Sequence, residues 1–518
     1  MKRRHFLRTT GSAVSIPVLL NGLSISALAK PILFNTVNDE SDRVLVLIQL
    51  FGGNDGLNMV IPTDQYDQLA NVRSSVILPE NSILSLTDTV GLHPRMGGLK
   101  SLYDNGRLGI VQNVGYPNPN RSHFRSIEIW ATGSSTEEYL STGWLGRALD
   151  KKHPGYPTGF PNGEYPDPFA ISLGYSVSET CQGSAANYSM TLTDPFGLTP
   201  LAEGEDDEID TLYGQELAYL NATIAQTNAY ADQILNAAQG GSNMVTYPDS
   251  ELAQQLRNVS LLISGGLKTK VYTVTLGGFD THANQVESGD STQGKHAELL
   301  ETLSSAIEAF QNDLEELGLE ERVIGMTFSE FGRQIRSNGS RGTDHGAAAP
   351  LLLFGSCVNP QILGDNPEIP DQVQVQDALP MQYDFRDIYG SILLDWFEMS
   401  ITDVKKVLHD GVQYLPIVSS CGSTVSGQQV LSNIPVEIEC YPNPFSRWTT
   451  IRFESETEWV RLSIFNALGS EVRVISNQQF SAGRHEIPVD TSGLSPGNYF
   501  CRLQLEQRQK TKRIVKIE

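Results

Sequence analysis

Leu45-Val46-Leu47-Ile48-Gln49-Leu50-Phe51-Gly52-Gly53-Asn54-Asp55-Gly56 starts as a short apolar run and breaks into a turn built on three glycines. A run of that length bounded by turn residues reads as a strand buried on both faces. The turn after it is one that few side chains could follow. In an open α/β sheet, ligands sit in the crevice outside the carboxyl ends of the strands. Asp55 is therefore expected where such a fold keeps its chemistry, the alternative being an Asx turn that closes an ordinary strand-to-helix connection.

At 518 residues the chain is too long for one core, so two or more domains are expected. A hydrophobic content of 39% is enough for a globular body. The mean hydropathy of -0.22 argues against a multi-spanning membrane protein. A formal charge of -23 makes nucleic acid an unsuitable partner, because phosphate binding needs a basic footprint. The five cysteines, Cys181, Cys357, Cys421, Cys440 and Cys501, form no CxxC pair and no dense framework. Neither a zinc ribbon nor a disulfide scaffold is indicated, and one or two bridges are compatible with an exported chain.

Residues 1–29 read as a signal peptide. Lys2-Arg3-Arg4-His5-Phe6-Leu7-Arg8 is basic, an apolar stretch runs from Gly11 to Leu28, and Ala27-Leu28-Ala29 offers small residues for cleavage. The arginine pair resembles a twin-arginine export signal; the other reading is an ordinary secretory signal. No transmembrane span is expected in the mature chain.

Past the first strand, a helix is expected from Gly91-Leu92-His93-Pro94, with Met96, Leu99 and Leu102 on its core face. Arg107 to Val114 reads as a second strand, ending in a proline-broken loop that leads to Arg121-Ser122-His123. A helix from Ser122 would set its hydroxyl among orphan N–H groups, where an anion is favoured, with Arg121 and His123 alongside. Ser122 is read either as a nucleophile or as a simple N-cap. The Gly- and Pro-rich stretch from Gly143 to Leu201 reads as loops with short strands. Residues 202–240 and Leu252 to Ile263 read as amphipathic helices, the first as a cap or lid.

Lys270 to Leu276 is another strand, running into Asp280-Thr281-His282. A carboxylate and an imidazole two residues apart are suitable ligands for first-row metals. After a helix carrying Leu299, Leu300, Leu303, Ile307, Phe310 and Leu314, Arg322 to Phe328 forms a strand ending in Ser329-Glu330-Phe331-Gly332-Arg333. Gly342-Thr343-Asp344-His345-Gly346 then precedes the apolar Leu351 to Phe354. Strands alternating with long helices indicate a largely parallel sheet. Four acid or histidine clusters at comparable strand ends are expected to converge in space. Asp384 and Arg386, opening a last helix, are read as structural.

In order, the stretches around Asp55, Ser122, Asp280, Glu330 and His345 closely resemble the DUF1501 family of exported bacterial proteins, over roughly residues 42–415. That family is placed by similarity in the alkaline phosphatase and sulfatase superfamily. The resemblance implies an α/β domain with a largely parallel sheet flanked by helices and a divalent metal, zinc or calcium. Under it Asp55, Asp280, His282, Glu330, Asp344 and His345 are the metal candidates. Ser122 is the nucleophile, and Arg121 and Arg333 are candidates for stabilising the equatorial oxygens. The chain departs from the superfamily pattern at Ser329-Glu330 and at Asn284, which puts a two-zinc site in doubt, and it lacks the Cys-x-Pro-Ser-Arg of formylglycine sulfatases.

Residues 416–434, rich in Ser, Gly and Val, read as a linker. Residues 435–518 carry short alternating strands and turns, the pattern of a small β-sandwich. Tyr441-Pro442-Asn443-Pro444-Phe445 and the Asp490 to Tyr499 stretch resemble a type IX secretion sorting domain. The expected partners are thus the twin-arginine and type IX export machineries and a small-molecule or polymer ester. The expected location is the cell surface or the exterior, reached through the periplasm. Two functions stand open: a metal-dependent hydrolase of phosphate or sulfate esters, and a surface binding protein that keeps the fold without turnover.

Overall fold

The computed structural model describes residues 42–202, 212–419, 438–455, 458–466, 471–480, 483–504 and 509–517. The expected signal peptide and most of the expected linker lie outside them. The chain divides into two compact units, Met1–Ser423 and Thr424–Glu518.

The first unit is organised on β1 (Val44–Phe51). Along it the elements follow as α1 (Gly97–Asp104), β2 (Leu108–Gly115), α2 (His123–Thr132), α3 (Trp144–Lys152), β3 (Ala170–Leu173) and β4 (Ser189–Leu192). Then come α4 (Leu212–Gly240), α5 (Glu251–Ser264), β5 (Val271–Gly277), α6 (Lys295–Glu316), β6 (Val323–Phe328), β7 (Ala349–Phe354) and α7 (Phe385–Asp395). The main sheet has nine strands, with β2-β7-β6-β1-β5-β3-β4 in a row and two short strands, Ile362–Leu363 and Tyr383–Asp384, against β2. β1 pairs in parallel with β5, Leu45 opposite Val271, and with β6, Leu45 opposite Ile324. β7 alone among the long strands runs antiparallel to both neighbours, β2 and β6.

The reading of β1 as buried on both faces is met from Val44 to Ile48 and at Leu50, while Gln49 is half-buried and Phe51 exposed. Val44, Val46, Ile48 and Leu50 enter one core, with Leu300, Leu303, Ile307 and Phe310 of α6. Leu45 and Leu47 enter the opposite core, with Trp130 of α2, Trp144 of α3 and Phe385 and Ile392 of α7. Burying each such side chain contributes roughly 1.5–3 kcal/mol, which is what holds helices on both faces.

Two local expectations are corrected. The helix expected from Gly91 begins at Gly97, because Val90–Leu92 pairs with Val60–Pro62 in a small separate sheet. The stretch from Gly143 contains helix α3 before its strands. Its Gly and Pro residues fall mostly after Lys152, while Trp144, Leu145, Ala148 and Leu149 recur at helical spacing and are buried. The expected lid helix is α4, which packs on α5 and places Tyr230 and Ile234 in the core. Asp384 and Arg386 are structural, as expected: Asp384 caps α7 through the Arg386 N–H and pairs with its guanidinium at 2.6 Å.

The second unit consists of β8 (Ile438–Tyr441), β9 (Trp448–Ser455), β10 (Glu458–Asn466), β11 (Glu471–Phe480), β12 (Gly483–Asp490), β13 (Gly497–Gln504) and β14 (Gln509–Lys516). They form two antiparallel sheets, β8-β9-β12 and β11-β10-β13-β14, around one apolar core. No helix among the described residues is long and apolar enough to cross a membrane.

Candidate metal centre

Strand direction brings the polar clusters to one edge. β1, β2, β5 and β6 share a direction, so their carboxyl ends deliver Gly52, Arg121 to His123, Asp280 and Glu330 to the same side. β7 is reversed, so its amino end meets that side and brings Asp344 and His345 with it. The glycine turn makes this approach feasible. Gly52 and Gly53 have φ of +125° and +79°, and a Cβ on Gly52 would lie 2.3 Å from the Asp280 nitrogen.

Donor atoms of His123, Asp280 and His345 lie within 4.8 Å of one another. His282 joins them, its Nε2 at 3.1 Å from Asp280 Oδ1 and 2.9 Å from His345 Nε2. The other nitrogen of each ring is committed. His345 Nδ1 is 2.9 Å from the Arg121 carbonyl, His282 Nδ1 is 2.9 Å from Asp344, and His123 Nδ1 is 2.7 Å from Glu330. A carbonyl and an ionised carboxylate only accept, so each Nδ1 carries a proton, and in its neutral form each ring aims its Nε2 lone pair inward. Two lone pairs facing each other at 2.9 Å repel unless a cation lies against both. Histidines oriented this way by outer carboxylates and carbonyls are what a metal site requires. The donors present, three imidazoles and one carboxylate, fit a zinc-type ion better than calcium, which prefers oxygen ligands throughout.

The surroundings reinforce the arrangement. Glu330, fully buried, also accepts the Gly52 N–H at 2.9 Å, tying the glycine turn to the His123 ring. Asp344 accepts from Asn338 at 3.0 Å. Burial pushes the Asp280 carboxyl up, but the Arg333 guanidinium outweighs it and holds the group below the usual carboxylate range. Burial holds the His345 ring toward its neutral form. Phe331 packs on the rings of His123 and His345, with centroids 4.9 and 4.6 Å away, and Phe51 stacks beside His123.

Of the six metal candidates, Asp280, His282 and His345 present donor atoms to this common space. Glu330 and Asp344 stand one step out, each holding a histidine. Asp55 is placed differently from the expectation: it is 1% exposed, its carboxylate pairs with the fully buried Arg73, and it accepts from Gln285. Gln285 is turned that way because the hydroxyls of Thr281 and Thr343 donate to its carbonyl oxygen. Both of these contacts fall on Asp55 Oδ2, which turns the carboxylate toward Arg73 and Gln285 rather than toward the histidines.

The expected role of Arg333 is also corrected. Its guanidinium donates to the carbonyls of Gly53, Thr343, Gly52 and Phe279 and to Asp280, which leaves it clamping the turn rather than reaching for a substrate. Arg121 lies at the rim and donates to the side chain and carbonyl of Gln376, both at 2.9 Å. Ser122 is the N-cap residue of α2, but its hydroxyl makes no cap bond and the residue is exposed. Asn284 donates nothing to the cluster; it is exposed and accepts from Arg341.

His123 is the site residue that sequence reasoning undervalued. It was noticed only as a neighbour of Ser122, although an imidazole one residue into a helix at a strand's carboxyl end was a usable signal.

The family described as "Protein of unknown function (DUF1501)" matches residues 42–395, and "Secretion system C-terminal sorting domain" matches residues 439–518. No curated protein matches. Among solved structures, the chain is similar to dimeric latent PorU from Porphyromonas gingivalis at 17% identity, over 16% of this chain and 9% of that one, with a TM-score of 0.13. The chain therefore spans about a tenth of PorU. It is similar to an alkaline phosphatase superfamily protein from Vibrio parahaemolyticus at 11% identity, over 100% and 92% of the two chains, with a TM-score of 0.30. A phosphonate monoester hydrolase from Silicibacter pomeroyi is similar at 9% identity, over 91% and 89%, also with a TM-score of 0.30.

Proposed function

The chain belongs to the DUF1501 family and carries a secretion sorting domain that makes it an exported, cell-surface protein; from that premise we propose that it is a metal-dependent hydrolase of phosphate or sulfate esters. The observation that carries the reading is the set of three histidines whose Nδ1 positions are all spent on fixed acceptors while their Nε2 atoms meet at Asp280. His123, Asp280, His282 and His345 would hold one divalent ion, with zinc favoured over calcium by the nitrogen-rich set. When bound, such an ion polarises an ester oxygen and lowers the pKa of a hydroxyl or water.

The chain's own residues divide the remaining work. Ser122 stands at the amino end of α2, between Arg121, whose carbonyl His345 holds, and His123. Orphan N–H groups there favour a tetrahedral anion. Phe331 packs on the rings of His123 and His345 and Phe51 stacks beside His123, which gives the cluster an apolar flank. Arg121, at the rim, is the guanidinium positioned to meet an anionic ester if it leaves Gln376.

A second reading has its own support. Arg73 takes up Asp55 and the Gly52-Gly53 turn takes up Arg333, so the superfamily's expected first-strand ligand and one expected cation are both spent. A surface protein that binds through a metal without turnover fits those losses.

The test is the metal content of the purified mature protein beside Asp280→Ala and His345→Ala. Stoichiometric metal in the wild type that is lost in both variants supports the site, and its absence after zinc, manganese and calcium are offered overturns it. With metal present, aryl phosphate and aryl sulfate hydrolysis that vanishes in Ser122→Ala supports the hydrolase. Full metal without turnover on esters selects the binding protein.

A further inference from the structure

We propose that Cys440 and Cys501 form a disulfide that staples the two sheets of the sorting domain together in the exported protein. Cys440 lies on β8, opposite Ile451, and Cys501 on β13, opposite Ile464, so the two belong to different sheets. Both point into the same core, where Ile438 and Cys440 alternate inward on one sheet and Tyr499, Cys501 and Leu503 on the other. Their thiols are in hydrogen-bonding contact with each other. Cys440 is 8% exposed and Cys501 fully buried, so neither thiol is displayed for a partner.

The other cysteines give the contrast. Cys181 is buried beside the Ser178 side chain, and Cys357 is already disulfide-bonded. An exported chain passes through a compartment where adjacent thiols are oxidised and remain so.

The oxidant is a protein disulfide of the thiol–disulfide oxidoreductase class. While the pair is still uncovered during folding, the Cys440 thiolate attacks one sulfur of that disulfide, the oxidant's S–S bond breaks, and a mixed disulfide forms. The Cys501 thiolate then attacks the Cys440 sulfur, the new S–S bond closes, and the oxidant departs as a dithiol carrying the two electrons.

A bridge between residues about sixty positions apart in the chain restricts the unfolded state strongly, which is where most of its stabilisation would arise. Small all-β domains with thin cores gain most from such a staple.

The experiment uses the full chain exported through a periplasm, its thiols alkylated on denaturation without reductant and its peptides mapped by mass. The expected result is a covalently joined pair of peptides containing Cys440 and Cys501, with Cys181 alkylated. Separate alkylated peptides, or either cysteine joined to a different one, overturn the proposal. The paired variant Cys440→Ala/Cys501→Ala gives a second readout. Reductant should lower the unfolding midpoint of the second unit by about 10 °C or more in the wild type and leave it unmoved in the variant. The Cys357 bridge is common to both and cancels, so an equal response in the two overturns the proposal as well.

Discussion

His282 and His345 face each other through their Nε2 atoms at 2.9 Å, while Asp344 and the Arg121 carbonyl occupy their Nδ1 atoms. In the neutral form neither ring can donate inward without giving up its outer bond. The pair is arranged for a third party between them, and Asp280 and His123 complete its surroundings.

Removing an outer carboxylate should weaken this arrangement without abolishing it. Asp344→Asn and Glu330→Gln are each expected to lower metal affinity about 10–100-fold, because they loosen ring orientation and basicity rather than delete a ligand. Competition against a chelator of known affinity measures it. Affinities indistinguishable from wild type in both variants would mean that these carboxylates do not hold the rings.

The Asp55–Arg73 pair should behave in the opposite way. Asp55→Ala leaves a buried guanidinium uncompensated and is expected to cost about 3–5 kcal/mol in urea unfolding. Its metal stoichiometry should remain that of the wild type. Loss of metal with stability intact would return Asp55 to the ligand set.

Acid should destabilise the first unit through two interior histidines. Burial, aided by His296 and Arg95, pushes His93 down to about 3, and burial, aided by Arg73 and Arg333, pushes His296 down to about 4 despite the charge of Asp55. In the unfolded chain both titrate near 6.5. Between those values the unfolded state binds more protons, so their stabilisation is complete above pH 6.5 and is lost as pH falls toward 4. Each contributes a slope of up to about 1.4 kcal/mol per pH unit in that window. His296→Gln, which can still donate to Asn54, should flatten the slope; an unchanged slope would exclude His296 as its source.

Gly52→Ala should disturb both stability and the site. The substitution places a Cβ 2.3 Å from the Asp280 backbone nitrogen, at a φ of +125° that side chains rarely adopt. A loss of at least about 2 kcal/mol is expected, with weakened metal binding because Asp280 and the Glu330 contact to Gly52 shift together. Thermal unfolding and metal titration on one preparation would reveal it, and a neutral result in both would contradict the close packing of the turn.

Much of the site was legible because strand ends are legible. Asp280, His282, Glu330 and His345 each follow or precede an apolar run, and a parallel sheet gathers such ends on one side. The reversal of β7 was not legible, since an apolar run carries no direction. It is that reversal which sends the amino end of β7, with His345, to the site. His123 was overshadowed by the serine beside it, because a one-dimensional reading ranks nucleophiles above their neighbours.

By itself the sequence determined the α/β class and the position of β1, which rest on local patterns of polarity and turn residues, and the sorting tail, which rests on the resemblance of its motifs to a known family. Only the tertiary structure decided which polar groups were already spent. Arg73 lies 18 positions from Asp55 and Arg333 lies 53 from Asp280, and no local pattern says that one pair is sealed in the interior while the other borders a cluster of histidines. Charge pairing across such separations is set by packing, so the choice between ligand and internal ion pair is made when the chain folds.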